Sequence, residues 1–159
     1  SPVNPIEIII GKVIPYVILG FLDGALIVFI GWFWFNVPIH GNVFLLAFLS
    51  VFYLYSALSL GVFISTRANS QLIAMMTALV ITLLPSLLLS GFLFPISSMP
   101  LVLRAISHIV PAKYFLVIIR GIIMKGIGIS YFWEQILFLF GLGTILLILS
   151  RSGFKTKLE

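Results

Sequence analysis

The sequence predicts an all-α membrane protein: four transmembrane helices, with a re-entrant or interfacial helical hairpin before the last span. Three observations carry this. First, 62% of the 159 residues are apolar and only 8% are charged, whereas a soluble domain carries about a quarter charged residues. Second, no charged residue lies between Asp23 and Arg67, or between Arg67 and Arg104. Such runs exceed the roughly 18 apolar residues that mark a chain dissolved in lipid. Third, the second run breaks up as Ser90-Gly91-Phe92-Leu93-Phe94-Pro95, followed by Met99-Pro100. Beyond it lies a stretch too charged to span and too apolar for plain loop, which points to transport machinery more than to an anchor.

Read in order, residues 1–159 form one transmembrane domain. The opening Ser1-Pro2-Val3 has no Met, and residues 1–12 fit neither a signal nor a transit peptide. They read as the start of a fragment or processed chain. The first span, 13–35, holds Pro15 and closes on Trp32, Phe33, Trp34 and Phe35, an aromatic belt. The link 36–42 has no Lys or Arg. The second span, 43–64, carries a small-residue stripe, Ala57, Gly61 and Ser65, suited to close helix contact. The third, 72–93, contains Pro85; Pro15 and Pro85 both predict kinks. The last, 131–150, opens on Tyr131, Phe132 and Trp133, a second set of interface aromatics on the same outer side as the first. Each span is about 20–24 residues, or ~30–36 Å of helix.

The positive-inside rule places residues 1–12, the second link with Arg67, and the tail 151–159 with Arg151, Lys155 and Lys157 in the cytoplasm. The remaining basic residues, Arg104, Lys113, Arg120 and Lys125, then fall in the outer segment 96–128. Were 101–125 a span, several cations would sit in hydrocarbon at ~2.5–3.5 kcal/mol each. Two short helices broken near Pro111 avoid that cost. Arg104 and His108 share a face, as do Lys113 and Arg120, while Phe115, Ile118, Ile119 and Ile122 fill the opposite face of the second helix.

Candidate chemistry is sparse. Asp23 lies near the middle of the first span, where an ionised carboxylate is costly and therefore a functional candidate. A protonated, hydrogen-bonded packing role is the plainer alternative. Glu134 heads the last span as a solvated interface residue. His40 and His108 lack companion ligands, so no metal site is expected. Zero Cys removes thiol chemistry. No His lies inside a span to activate a serine, and no G-x-x-x-x-G-K-[ST] loop occurs. No catalytic residue and no cofactor is expected. The net charge of +5 is scattered singly along the chain, which argues for membrane orientation and against nucleic acid.

Several runs occur in a recognisable order: Ser1-Pro2-Val3-Asn4-Pro5-Ile6-Glu7-Ile8-Ile9-Ile10-Gly11-Lys12, Ser65-Thr66, Ser86 to Ile96 (with Ser90-Gly91-Phe92-Leu93-Phe94-Pro95), Met99-Pro100, Pro111, Tyr114 and Arg120-Gly121. Together they resemble the permease subunit of ABC-2 type transporters, in the bacterial multidrug-exporter branch. The resemblance implies the C-terminal two-thirds of a six-span permease, lacking the first two spans and a large insertion. It implies a multi-pass protein of the bacterial inner membrane without an ATPase site of its own. It also implies a cytoplasmic coupling segment over Pro2 to Lys12 (Pro2, Val3, Pro5, Glu7, Gly11, Lys12) that docks on a separate ABC ATPase subunit. An outer gate and re-entrant region would involve Ser90, Gly91, Phe94, Pro95, Met99, Pro100, Pro111, Tyr114, Arg120 and Gly121. A second permease chain, identical or different, would complete the path, surrounded by membrane lipid. The substrate implied is drug-like, lipid or otherwise amphipathic. The rival classes are a channel or secondary transporter, which should show midplane coupling charges beyond Asp23, and a non-transporting membrane partner subunit.

Overall fold

The computed structural model describes residues 5–155, and every regular element among them is helical. Helix α1 (Pro5–Phe33) is continuous through Pro15. The residue four before Pro15 is Gly11, the place where the ring meets the preceding turn. The helix ends on Asn36, whose φ of 49° is left-handed, while the Val37 N–H reaches back to Gly31 O at 3.1 Å. Asparagine tolerates that conformation, and the backward bond satisfies one of the helix's last carbonyls. Helix α2 (Val43–Arg67) starts on Asn42, whose Oδ1 accepts the Phe44 N–H at 2.8 Å. Ser70 caps the next helix in the same manner, its hydroxyl accepting the Ile73 N–H.

The third span, Gln71–Leu88, is built from three pieces: α3 (Gln71–Ala78), a π-helical turn (Leu79–Leu83) and α4 (Leu84–Leu88). The π turn lies immediately before Pro85, the residue that cannot donate to the helical ladder. It absorbs the mismatch that the sequence signals as a kink. The span stops at Leu88, short of the expected 93, because Ser90 and Gly91 turn the backbone away. Helices α5 (Leu101–Ser107) and α6 (Pro111–Lys125) follow, bent by 78° at the break between them. Last comes α7 (Trp133–Lys155). Among the described residues, four helices are thus long and apolar enough to cross a membrane, with a bent pair before the fourth.

Packing is uneven. Leu46 and Leu49 of α2, Tyr114, Ile118 and Ile122 of α6, Phe132, and Leu139 of α7 form the buried cluster. Tyr53 stacks on Phe115 at 4.2 Å, and Tyr55 on Phe140 at 5.6 Å. The Tyr55 hydroxyl lies 3.2 Å from Thr144 Oγ1. At the α2–α7 crossing, a Cβ on Gly143 would stand 2.6 Å from the Tyr55 ring and 3.2 Å from Ser56 Cα. Only a glycine permits that approach.

Two sequence expectations need correcting here. The stripe Ala57, Gly61, Ser65 does not make the contact: Gly61 faces open space and Ser65 is exposed. The neighbouring Ser56 and Ser59 are both buried instead, and it is Ser56 that lies against Gly143 of α7. Phe132 is no interface aromatic either; it is fully buried, while Tyr131 and Trp133 on either side are exposed. By contrast, no residue of α1 within Val13–Phe33, and none of Gln71–Leu88, is buried.

Candidate functional site

The break between the third span and α5 is held by short-range bonds. The buried Ser90 hydroxyl donates to Ser86 O and accepts the Phe92 N–H at 3.3 Å. It closes the helix from both sides, which fits a helix terminus rather than a nucleophile. Gly91 follows with φ of 88°, a conformation that side chains rarely adopt. Pro95 then starts a 3-10 turn, Ile96–Ser98, with the Ser98 N–H on Pro95 O at 3.0 Å. Pro100 caps α5, its carbonyl accepting the Arg104 N–H at 3.0 Å. Both prolines occupy positions where no N–H is required.

Arg120 links this break to the packed body. Its Nη2 donates to Gly91 O at 3.4 Å, across 29 residues of chain. The bond is long and the side chain exposed, so it is a light latch rather than a clamp. One position on, Gly121 is buried against Phe132; a Cβ there would stand 2.6 Å from the ring. Tyr114 is buried, stacks on Phe138 at 5.0 Å, and donates its hydroxyl to His108 O at 2.8 Å. That bond ties α6 to the end of α5. Pro111 is buried at the first turn of α6. Phe94 and Pro100 are exposed; Met99 is half-buried. With Leu84, Pro85, Leu88 and Leu103, these three line an apolar groove of about 480 Å³ between α4 and α5. The structure therefore brings Ser90, Gly91, Phe94, Pro95, Met99, Pro100 and Arg120 to one break, with Pro111, Tyr114 and Gly121 on the helix packed beside it.

The elbow itself holds residues the sequence reading did not group. Buried Ser107 donates to Arg104 O at 2.7 Å and accepts from Lys113 Nζ at 3.2 Å. His108 Nδ1 lies 2.8 Å from Arg104 O. Burial, and then the nearby Arg104 charge, hold the Lys113 ammonium below the usual lysine range. The spacing of Arg104 and His108 was legible, but not Lys113 folding back onto Ser107.

Elsewhere, Asp23 is exposed on α1 and faces a cavity of about 750 Å³ between α1, α2 and α6, lined also by Gly20, Ser50, Tyr53 and Phe115. Of the coupling residues, Pro5, Glu7, Gly11 and Lys12 lie on the start of α1, in continuous helix with the span. Glu7 and Gly11 are exposed. Pro2 and Val3 lie outside the described residues. No group of His, Asp and Glu suited to a metal ion occurs among the described residues.

The family model of the ABC-2 type transporter matches residues 1–124. The chain belongs to the ABC-2 type transporter family. Among curated relatives of this ABC-2 chain, the "Probable multidrug ABC transporter permease YbhS" of Escherichia coli (strain K12) is 36% identical over 151 residues. That match covers 95% of this chain and 40% of the relative. The "Probable multidrug ABC transporter permease YbhR" of the same strain is 29% identical over 136 residues, 86% of this chain and 37% of its own. "ABC transporter G family member 20" of Dictyostelium discoideum is 30% identical over 125 residues, 79% of this chain and 17% of its own. The ABC-2 chain thus spans about 40% of the length of the first relatives it matches, less than the two-thirds that the resemblance implied. No solved structure matches it.

Proposed function

We propose that the chain is part of the membrane-spanning permease of an ATP-driven exporter in a bacterial inner membrane. It has no ATPase site of its own and moves an amphipathic, drug-like or lipid substrate outward. Membership of the ABC-2 family is the observation that carries this reading. A separate ATPase subunit docks on the coupling segment Pro2 to Lys12, and a second permease chain completes the path.

The geometry supports a transmission route. Because α1 runs without interruption from Pro5 to Phe33, a push at its cytoplasmic end moves the span as a rod. It leans on α2 where a Cβ on Gly20 would stand 2.6 Å from the Leu54 side chain. The body of α2, α6 and α7 then moves as a unit, because its members share one buried cluster. Arg120 on α6 pulls at Gly91 O, and the segment held by Gly91, Pro95 and Pro100 swings as the outer gate.

Pull-down of the full-length permease tests the partner: an ATPase that is lost on mutating residues 3–11 supports the assignment. Recovery of no ATPase favours a channel, secondary transporter or non-transporting subunit. Replacing Pro95 and Pro100 together by Ala in the full-length permease should lower export and change outer-face accessibility; unchanged values would remove the gate role.

A further inference from the structure

The segment from Gly24 to Trp133 contains no Asp or Glu, yet Arg104, His108, Lys113, Arg120 and Lys125 all lie within it. Among the described residues, neither Arg104 nor Lys113 has a carboxylate partner; the Arg104 guanidinium has no hydrogen bond, and the lysine is held by Ser107. A cation in an apolar setting is stable only when an anion, water or a carbonyl satisfies it. Two of these groups, Arg104 and Lys113, meet at the elbow through Ser107, which donates to Arg104 O and accepts from Lys113 Nζ. Lys113 folds back over the elbow toward α5, and its ammonium lies 5.8 Å from the Tyr114 ring centre. The N-terminus of α6, which has no side-chain cap, points its positive end at the same place.

A second, independent feature adjoins this cluster. The groove between α4 and α5, about 480 Å³ and walled by Leu84, Leu88, Met99, Pro100 and Leu103, is apolar throughout apart from Ser98. Arg104 directly follows Leu103 and stands one helical turn after Pro100, and both of those residues wall the groove. Beyond it, Leu101, Val102 and Ile109 are exposed. An apolar slot with Arg104 next to its Leu103 wall, and Lys113 reaching α5 one turn further on at Ser107, fits an anionic amphiphile and repels a cationic one.

We propose that the α5–α6 elbow binds an anionic phospholipid, with one acyl chain in the α4–α5 groove and its phosphate between Arg104 and Lys113. The site goes beyond the export reading, since it requires no ATPase and no transported substrate. Lipid is favoured over a protein carboxylate because the groove and the exposed face of α5 supply the apolar half of the match.

The test is native mass spectrometry of the full-length permease, purified in detergent with phosphatidylglycerol or phosphatidylcholine added. Phosphatidylglycerol should be retained and phosphatidylcholine should not. Arg104→Gln and Lys113→Gln should each lower retention roughly fivefold, the worth of one basic residue against an anionic headgroup. Arg104→Lys with Lys113→Arg should restore it, and Lys125→Gln should leave it unchanged. Leu103→Trp fills the groove without touching the charges and should also expel the lipid, so the proposal stays testable if a charge variant does not fold. Equal retention of both lipids, or unchanged retention in both Gln variants, would overturn the site. So would displacement of phosphatidylglycerol by millimolar inorganic phosphate alone, which would show a free-anion site.

Discussion

At the scale of single residues, stability rests on places where two atoms have no room for a third. Gly121 is the sharpest case, because the Phe132 ring occupies the space a methyl group would need. Gly121→Ala should destabilise the full-length permease by about 1–3 kcal/mol, the usual cost of overpacking. Phe132→Leu alone leaves a cavity, but combined with Gly121→Ala it gives the new methyl somewhere to go. The double variant should therefore melt higher than the sum of the single losses predicts, a coupling expected of residues in contact. Thermal unfolding of the four proteins in one detergent measures it, and strict additivity would show that the ring does not fill that space. Tyr114→Phe asks a narrower question. It removes the bond to His108 O while keeping the stacking on Phe138, and should cost about 0.5–1.5 kcal/mol.

At the scale of elements, the sequence was readable wherever polar and apolar faces differ. The second helix of the elbow has Lys113 and Arg120 on one side and Ile118 and Ile122 on the other, and the structure buries Ile118 and Ile122. Asn42 and Ser70 cap the starts of α2 and α3, a chemistry that the hydropathy runs alone did not single out. Tertiary partners inside the spans were not legible. Lipid is as apolar as leucine, so a lipid-facing Leu and a protein-facing Leu look alike in sequence. That is why the Ala57 stripe misled and why Phe132 read as an interface aromatic. The elbow cluster was missed for another reason: Lys113 and Ser107 lie on different helices, and only the 78° bend brings them together. The latch between α6 and the end of the third span gives an element-level prediction. Arg120→Gln removes an exposed, long bond, so the melting temperature should barely move. With spin labels at residues 93 and 125, the distance distribution should broaden in the variant. An unchanged distribution would mean that the latch does not restrain the break.

At the scale of the molecule, the buried cluster lies in α2, α6 and α7, while α1 and the third span contribute no buried residue. The unburied helices are those joined most directly to the coupling segment and to the gate, and their open faces are the ones that lipid, the rest of the permease and a second chain are proposed to cover. This arrangement works for export only if both ends of the chain lie on the ATPase side and the elbow opens to the other. Single cysteines at Lys113, Arg120 and Glu159 in the full-length permease, labelled in intact cells with a membrane-impermeant maleimide, test that directly. Label should reach positions 113 and 120 from outside, and position 159 only after the cells are opened. Position 113 is half-buried and position 120 exposed, so labelling at 113 should be slower than at 120. If position 120 reacts only from the cytosol, or position 159 reacts in intact cells, α5 and α6 lie on the ATPase side. The gate then has no outward path to control.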